Sequence, residues 1–129
     1  MRFNALIPEL SVSDIEQTKL FYIDILSFHL EYERPEDGFA FLTLEENQLM
    51  FEQINGGWST ARLEYPFGRG VNFEMTVSDV EGMYRRVLDS GIIPFRELSE
   101  KQYRCGDDMI VQREFLIMDP DGYLLRFTD

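Results

Sequence analysis

Three glutamates and one arginine are the side chains of this sequence best placed to do chemistry. Glu9, Glu52 and Glu74 lie in short stretches where apolar and polar residues alternate, and Arg126 lies in a similar stretch near the C-terminus. Such alternation is typical of β-strands. Clustered carboxylates can bind a hard cation such as Mg²⁺ or Ca²⁺, attract a cationic ligand or act as a general base when burial raises the pKa. Arg126 would neutralise part of that charge, so a cation site is the least favoured of these uses.

Other catalytic side chains are scarce. The only histidine is His29 and the only cysteine is Cys105, which lies in the stretch YRCGDD with no histidine close in sequence. A catalytic Cys–His pair is therefore not predicted, and no phosphate-binding glycine motif is present. A single cysteine also excludes an internal disulfide and is typical of a reducing compartment. Because no signal peptide or membrane-spanning run is evident, we expect a cytoplasmic protein without a membrane partner.

The charge balance excludes one further class of partner. The chain has 24 acidic and 12 basic residues, a net charge of −12. Binding of nucleic acid through its phosphates needs a Lys/Arg surface, so no nucleic-acid partner is expected. With 44% hydrophobic and 14% aromatic residues, the chain is long enough and apolar enough to bury a core.

The chain contains an internal repeat. ELSVSDIE at residues 9–16 aligns without gaps with EMTVSDVE at residues 74–81, and five of the eight positions are identical. The first half of each copy alternates as a strand does. The second half has the S-x-x-E pattern of a capping box, in which Ser13 and Ser78 would cap helices at roughly 14–26 and 79–90. Gly91 would end the second helix.

Three further strands are predicted after each helix. In the first repeat they span His29–Arg34, Phe39–Leu44 and Gln48–Gln53, and in the second they span Ile93–Leu98, Met109–Met118 and Tyr123–Thr128. Each repeat is therefore predicted to be a β-α-β-β-β module. We expect one domain (1–129) made of a first module (1–53), a linker (54–70) and a second module (71–129), which gives an α+β fold.

This arrangement resembles the vicinal oxygen chelate superfamily, the glyoxalase, bleomycin-resistance and dioxygenase group. The resemblance is carried by IPELSVSDIEQTKLFYIDIL (7–26), NQLMFEQ (47–53), SDVEGMYRRVLDSGI (78–92) and FLIMDPDGYLLRF (115–127), and it is greatest to proteins of the bleomycin-resistance type. It implies two modules whose curled mixed sheets surround a pocket, and a homodimer in which a second subunit completes that pocket.

The resemblance also implies where a metal would be held. Superfamily enzymes bind a divalent metal at four equivalent positions, which correspond here to Ile7, Met50, Asn72 and Arg126. Isoleucine and methionine offer no hard donor, asparagine is a weak one, and arginine repels a cation. We therefore predict no metal, no other cofactor and no catalytic residue of the metal-dependent kind.

The predicted site is a pocket with apolar walls and a few charged groups, as small-molecule sites have. Its candidate ligand-binding residues are Ile7, Glu9, Phe39, Phe41, Met50, Glu52, Trp58, Asn72, Glu74 and Arg126. An alternative is that the glutamates only form ion pairs with Arg126, and Trp58 could equally pack in an interface. Negative charge beside aromatic rings suits a cationic, partly flat ligand.

A binding protein is favoured over an enzyme. By resemblance it would sequester a cationic or amphipathic ligand, such as a glycopeptide antibiotic, in a pocket at the dimer interface. The alternatives are a metal-dependent glyoxalase-like lyase or isomerase, a dioxygenase, and a metal-free enzyme with Glu9 or Glu74 as general base.

Overall fold

The computed structural model describes all 129 residues and divides into two compact units. Unit 1 spans Met1–Phe67 and unit 2 spans Gly68–Asp129. Each unit has a four-stranded mixed sheet and few helices, so the predicted α+β class with two similar β-α-β-β-β modules is confirmed. No helix is long and apolar enough to cross a membrane.

Unit 1 is built on a sheet with the strand order β1-β4-β3-β2. Strand β1 runs parallel to β4, and the other neighbours are antiparallel. The elements are β1 (Glu9–Val12), α1 (Ile15–Lys19), a π-helical segment (Leu20–Ile25), β2 (His29–Arg34), a 3-10 turn (Pro35–Asp37), β3 (Phe39–Leu44) and β4 (Asn47–Gln53).

The helical side of this sheet forms the core of unit 1. Tyr22 is fully buried, and its ring centroid lies 4.6 Å from that of Phe51 on β4 and 5.3 Å from that of Phe28. Leu10 and Val12 of β1 are buried as well. Because side chains alternate between the faces of a strand, the intervening residues of β1 and β4 lie on the other face of the sheet. That face carries the candidate site.

Unit 2 repeats this plan with the strand order β5-β8-β7-β6. Strand β5 is parallel to β8, and β8, β7 and β6 pair antiparallel. The elements are β5 (Asn72–Thr76), α2 (Val80–Asp89), β6 (Arg96–Cys105), β7 (Asp108–Met118) and β8 (Leu124–Thr128). Gly91 follows α2 with a positive φ of 81°, as the sequence predicted for the end of this helix.

The prediction of a strand at Ile93–Leu98 is wrong. The structure places β6 at Arg96–Cys105, and Cys105 ends this strand instead of lying in a loop. Strands β6 and β7 form a long hairpin of which nearly every β6 residue is exposed. Because this part of the hairpin is not buried on either face, its sequence, SEKQYRC, has no clear apolar alternation to signal a strand.

The predicted helix caps are also wrong. The residues at the N-caps of α1 and α2 are Asp14 and Asp79, not the preceding serines. The Asp14 carboxylate accepts hydrogen bonds from the backbone N–H groups of Glu16 and Gln17, and the Asp79 carboxylate accepts one from Gly82. The first helix is shorter than predicted as an α-helix, because it continues in π-helical geometry after Lys19. Apolar spacing alone does not separate these two helical forms.

Asp79→Ala is expected to lower the free energy of unfolding by about 1 kcal/mol, because a free N–H group at the start of α2 loses its acceptor. Urea denaturation measures the loss. Asp79→Asn is the matched control and should keep most of the stability, since an amide oxygen also caps. A larger loss for Ser78→Ala than for Asp79→Ala would contradict this cap assignment.

Candidate functional site

Five of the predicted ligand-binding residues share one face of the unit 1 sheet. Glu9 on β1 is opposite Met50 on β4, and Met50 is in turn opposite Phe41 on β3. Phe39 is opposite Glu52 in the next row. Directly opposed residues in neighbouring strands point to the same side of a sheet, so these side chains lie on the face opposite the core.

The acidic end of this face carries an exposed tryptophan. The indole Nε1 of Trp58 donates a hydrogen bond to Glu52 Oε2 at 2.5 Å, although Trp58 lies outside any strand or helix. The Trp58 side chain is 67% exposed, so its ring remains open to a binding partner. We call Glu9, Glu52 and Trp58 the acidic face.

The same face of the sheet carries buried aromatic rings on β3. Phe39 and Phe41 are both buried, so they form a floor and offer little surface for direct contact. The Arg34 guanidinium carbon lies 3.9 Å above the Phe39 ring, and the ring of Tyr32 stacks on Phe41 at 5.3 Å with planes 14° apart. This part of the sheet already holds one cation against an aromatic ring.

The N-terminal segment covers part of this floor, which the sequence did not predict. The Phe3 ring meets Phe41 edge-on at a centroid distance of 5.5 Å. Asn4 N donates to Gln48 Oε1 at 2.8 Å, and Gln48 Nε2 donates to the Arg2 carbonyl at 2.7 Å. Phe3 lies before the first strand, so no strand or helix pattern in the sequence could predict its position. Ile7, another predicted site residue, is half-buried in the segment just before β1.

The pKa of Glu9 is raised above its ordinary value of 4.5, first by partial burial and then by the neighbouring negative charge of Glu52. The positive charge of Arg34 opposes this shift. Glu9 is nevertheless exposed to solvent, so we expect its pKa shift to change the free energy of unfolding only slightly. The direction still marks Glu9 as a carboxylate whose charge is not fully compensated within the protein.

Glu9→Gln is expected to stabilise the protein at neutral pH, by less than about 1 kcal/mol. The folded protein holds the Glu9 proton more tightly than the unfolded chain does. Its contribution is therefore most favourable below pH 4.5 and falls as the pH rises through 4.5 and then through the raised folded pKa. Denaturation curves from about pH 3 to pH 7 test this. Glu36→Gln removes an equal charge outside the face and should give a smaller, less pH-dependent gain. An equal gain would contradict the assignment.

The remaining charged candidates lie on the corresponding face of unit 2, where they form ion pairs with each other. Arg126 Nη2 lies 3.1 Å from Glu74 Oε2, and Arg126 Nη1 lies 3.7 Å from Glu114 Oε2. Gln112 Nε2 donates to Glu74 Oε1 at 3.3 Å, and the Tyr103 hydroxyl donates to Glu114 Oε1. The alternative in which Glu74 pairs with Arg126 is thus the arrangement observed.

Tyr103, Glu114 and Arg126 border a cavity of about 200 Å³, which we call the polar cavity. Its lining residues are Arg96, Glu97, Ser99, Lys101, Tyr103, Glu114, Leu116 and Arg126. Glu114 is only 3% exposed, and the sequence analysis missed it because it opens the apolar strand segment EFLIM. Asn72, predicted as a site residue, is exposed on β5 opposite Leu124 and is not among the lining residues.

The residues present do not fit the divalent metal that the fold family implies. Met50 brings a thioether to its position, and Arg126 fills its position with a guanidinium already paired with two carboxylates. No group of three His, Cys, Asp or Glu side chains is placed to hold a metal ion. His29 is exposed, with only Glu31 Oε1 at 4.0 Å as an ionic neighbour.

The sequence model of the Glyoxalase/Bleomycin resistance protein/Dioxygenase superfamily matches residues 4–127. The chain belongs to this superfamily. The resemblance inferred from the repeated motifs is therefore confirmed.

Curated members of the superfamily include near relatives of this chain. A bleomycin resistance protein of Geobacillus stearothermophilus is 28% identical in an alignment of 131 positions, gaps included, that covers 94% of this chain and 92% of the relative. A Staphylococcus aureus protein of the same name matches equally well. Two solved structures share the fold. TioX from Micromonospora sp. ML1 has a TM-score of 0.75 at 19% identity over 98% of both chains. A superfamily protein from Alicyclobacillus acidocaldarius has a TM-score of 0.68 at 22% identity, over 99% of this chain and 93% of that one.

Proposed function

We propose that this superfamily member is a metal-free binding protein that captures a cationic, amphipathic small molecule on the acidic face. The observation that carries the proposal is the hydrogen bond from the exposed Trp58 indole to Glu52, a carboxylate whose negative charge also acts on Glu9. Carboxylates select a cation, and an exposed indole offers a flat apolar surface with a negative π-face. Together they suit a ligand that joins a positive charge to a planar ring system.

The partial burial of Glu9 strengthens this match. The raised pKa of Glu9 means that its negative charge is disfavoured by the surroundings, mainly through burial and then through Glu52. A bound cation would relieve that cost at Glu9. The gain is greater than for a fully hydrated pair, because charges interact more strongly where water is displaced.

The bleomycin-resistance proteins that this chain resembles suggest the ligand class to test first. Their name connects them with bleomycin, a cationic glycopeptide antibiotic. Capture would be stoichiometric: burial of the flat group supplies affinity, the glutamates select the charge, and no bond is broken. The proposed ligand surface also includes Ile7 and Met50, and the buried Phe39 and Phe41 would support it as its floor. In unit 2, Asn72, Glu74 and Arg126 stay predicted ligand residues, although Glu74 and Arg126 neutralise each other.

We also propose that the working form is a cytoplasmic homodimer whose ligand pocket lies at the subunit boundary. Support comes from apolar side chains exposed in the β6–β7 hairpin, namely Met109, Ile110 and Val111. Sedimentation velocity should give twice the 15.2 kDa mass of the chain. A monomer at micromolar concentration, with ligand present, would contradict the dimer without affecting the proposed ligand class.

Bleomycin titration tests the binding function directly. Trp58 is the only tryptophan in the chain, so its fluorescence reports on the acidic face alone. We expect saturable fluorescence change, a higher melting temperature, and bleomycin that is recovered chemically unchanged. Binding of anionic compounds only, or no saturable response to bleomycin and other flat cations, would overturn the proposal.

The alternative function is that of a metal-dependent lyase, isomerase or dioxygenase, and metal analysis of the purified protein tests it. Tight stoichiometric Fe, Mn, Ni or Zn in the purified protein would contradict the metal-free proposal. A metal-free enzyme is a second candidate, because the raised pKa of Glu9 also suits a general base. Mass spectrometry of bound ligands after long incubation separates this from capture, since an enzyme would release an altered molecule.

A further inference from the structure

We propose that the polar cavity of unit 2, which shares no residue with the acidic face of unit 1, binds a small oxyanion, such as the carboxylate of an organic acid or a phosphate. Three cationic side chains, Arg96, Lys101 and Arg126, line this cavity with two carboxylates, Glu97 and Glu114. The lining thus has a net charge of +1, which becomes zero when Glu74, the ion-pair partner of Arg126, is included. A cavity that collects three of the 12 basic residues of a chain with a net charge of −12 needs an explanation beyond solubility.

Two of these cations have no acidic partner. None of the ion pairs of the protein involves Arg96 or Lys101. The guanidinium carbon of Arg96 lies 5.4 Å from the Phe95 ring centroid, the one specific contact it makes. Both side chains border the same 200 Å³ space. Arginine and lysine donors that converge on one space are the usual means of holding a carboxylate or phosphate.

The buried carboxylate in the cavity wall is only partly compensated. Glu114 accepts the Tyr103 hydroxyl on one oxygen. Its other oxygen is buried without a hydrogen bond and lies 3.7 Å from Arg126 Nη1, an ion-pair distance that is too long for a hydrogen bond. The Tyr103 hydroxyl and the Arg126 charge reduce the repulsion that Glu114 would exert on an entering anion.

Arg126 also has one N–H donor that no acceptor in the protein satisfies. Its Nε is buried and has no hydrogen-bond partner, whereas more than 90% of buried polar groups in proteins have one. An oxyanion in the cavity can supply an acceptor after a small rotation of the guanidinium. The same anion would meet Lys101 on β6, which lies opposite Gln112 of β7.

Comparison of the two repeats indicates that the fold does not require these arginines. In unit 2 a row across the sheet runs Glu74, Arg126, Leu116 and Arg96. The matching row of unit 1, Glu9, Met50, Phe41 and Tyr32, has methionine and tyrosine where unit 2 has the two arginines. A sheet of the same order thus forms without them, so a ligand is the better explanation for placing both on one row.

The test is a titration with succinate and, separately, with inorganic phosphate at constant ionic strength. Binding is followed by calorimetry and, in NMR spectra, by the backbone amide signals of Lys101, Tyr103 and Gln112 and the side-chain amide signal of Gln112. We expect saturable binding of at least one anion, with shifts confined to unit 2. The double variant Arg96→Gln/Lys101→Gln should weaken binding by about tenfold or more, because it removes two charged hydrogen-bond donors from the cavity. The preferred anion then distinguishes a carboxylate from a phosphate ligand.

Arg104→Gln is the matched control. Arg104 lies on β6 opposite Met109, on the side of the hairpin away from Lys101 and Tyr103, and it does not line the cavity. It should change the anion affinity by less than about twofold. Equal losses for Arg104→Gln and for the cavity variant, or no saturable binding of either anion, would overturn the proposal. Because bleomycin binding is expected to survive Arg96→Gln/Lys101→Gln unchanged, failure here is distinguishable from failure of the proposed function.

Discussion

The double variant Glu9→Gln/Glu52→Gln is expected to bind bleomycin about 100-fold more weakly than the unsubstituted protein. A charged hydrogen bond contributes about 1.5–3 kcal/mol, and two neighbouring carboxylates that share one cation act less than additively. The folded state should tolerate both changes. The amide oxygen introduced by Glu52→Gln can still accept the hydrogen bond from Trp58 Nε1, and loss of the Glu9 charge removes an unfavourable burial.

The loss must be specific to the acidic face. Glu36→Gln/Glu46→Gln changes the net charge equally but lies in the turns that flank β3, and we expect its affinity for bleomycin to stay within about threefold. Trp58 fluorescence and calorimetry measure both variants. If the control variant loses as much affinity as the first, the long-range charge of the protein attracts the ligand and the acidic face is not its site.

Arg126→Met is expected to have the largest effect on stability, a loss of about 3 kcal/mol in the free energy of unfolding. Methionine is the residue at the corresponding position of unit 1, Met50, so its size suits the sheet. The cost is electrostatic. Glu74 and the buried Glu114 both lose their cation, and a buried charge without a partner is strongly destabilising.

A second substitution separates charge from packing in that variant. Adding Glu114→Gln to Arg126→Met removes the stranded charge and leaves a side chain that still hydrogen-bonds the Tyr103 hydroxyl. We expect it to recover more than half of the lost stability, measured by urea denaturation of both variants in parallel. If Arg126→Met leaves the free energy of unfolding unchanged, or if the double variant is less stable than Arg126→Met alone, this ion pair contributes little to the stability of the fold.

The repeat was the part of the sequence that predicted most. Its two copies predicted the positions of β1 and β5 and of the helices that follow them, because the strand alternation and the S-x-x-E pattern are both local in the sequence. Strands β2 and β3 matched their predicted bounds, since each is enclosed by clear turn signals. The capping residue was missed by one position, because serine and aspartate both favour an N-cap and stand side by side in each copy.

The sequence by itself determined the superfamily and the α+β modules, because these depend on residue type and spacing along the chain. Only the tertiary structure decided what each charged side chain faces. In the folded protein Arg126 forms ion pairs with Glu74 and Glu114, whereas Arg96 and Lys101 have no acidic partner. Phe3 and Trp58 contact residues on one face of the unit 1 sheet. These contacts join residues far apart in the chain, and their partners are chosen by strand register and by packing across the sheet.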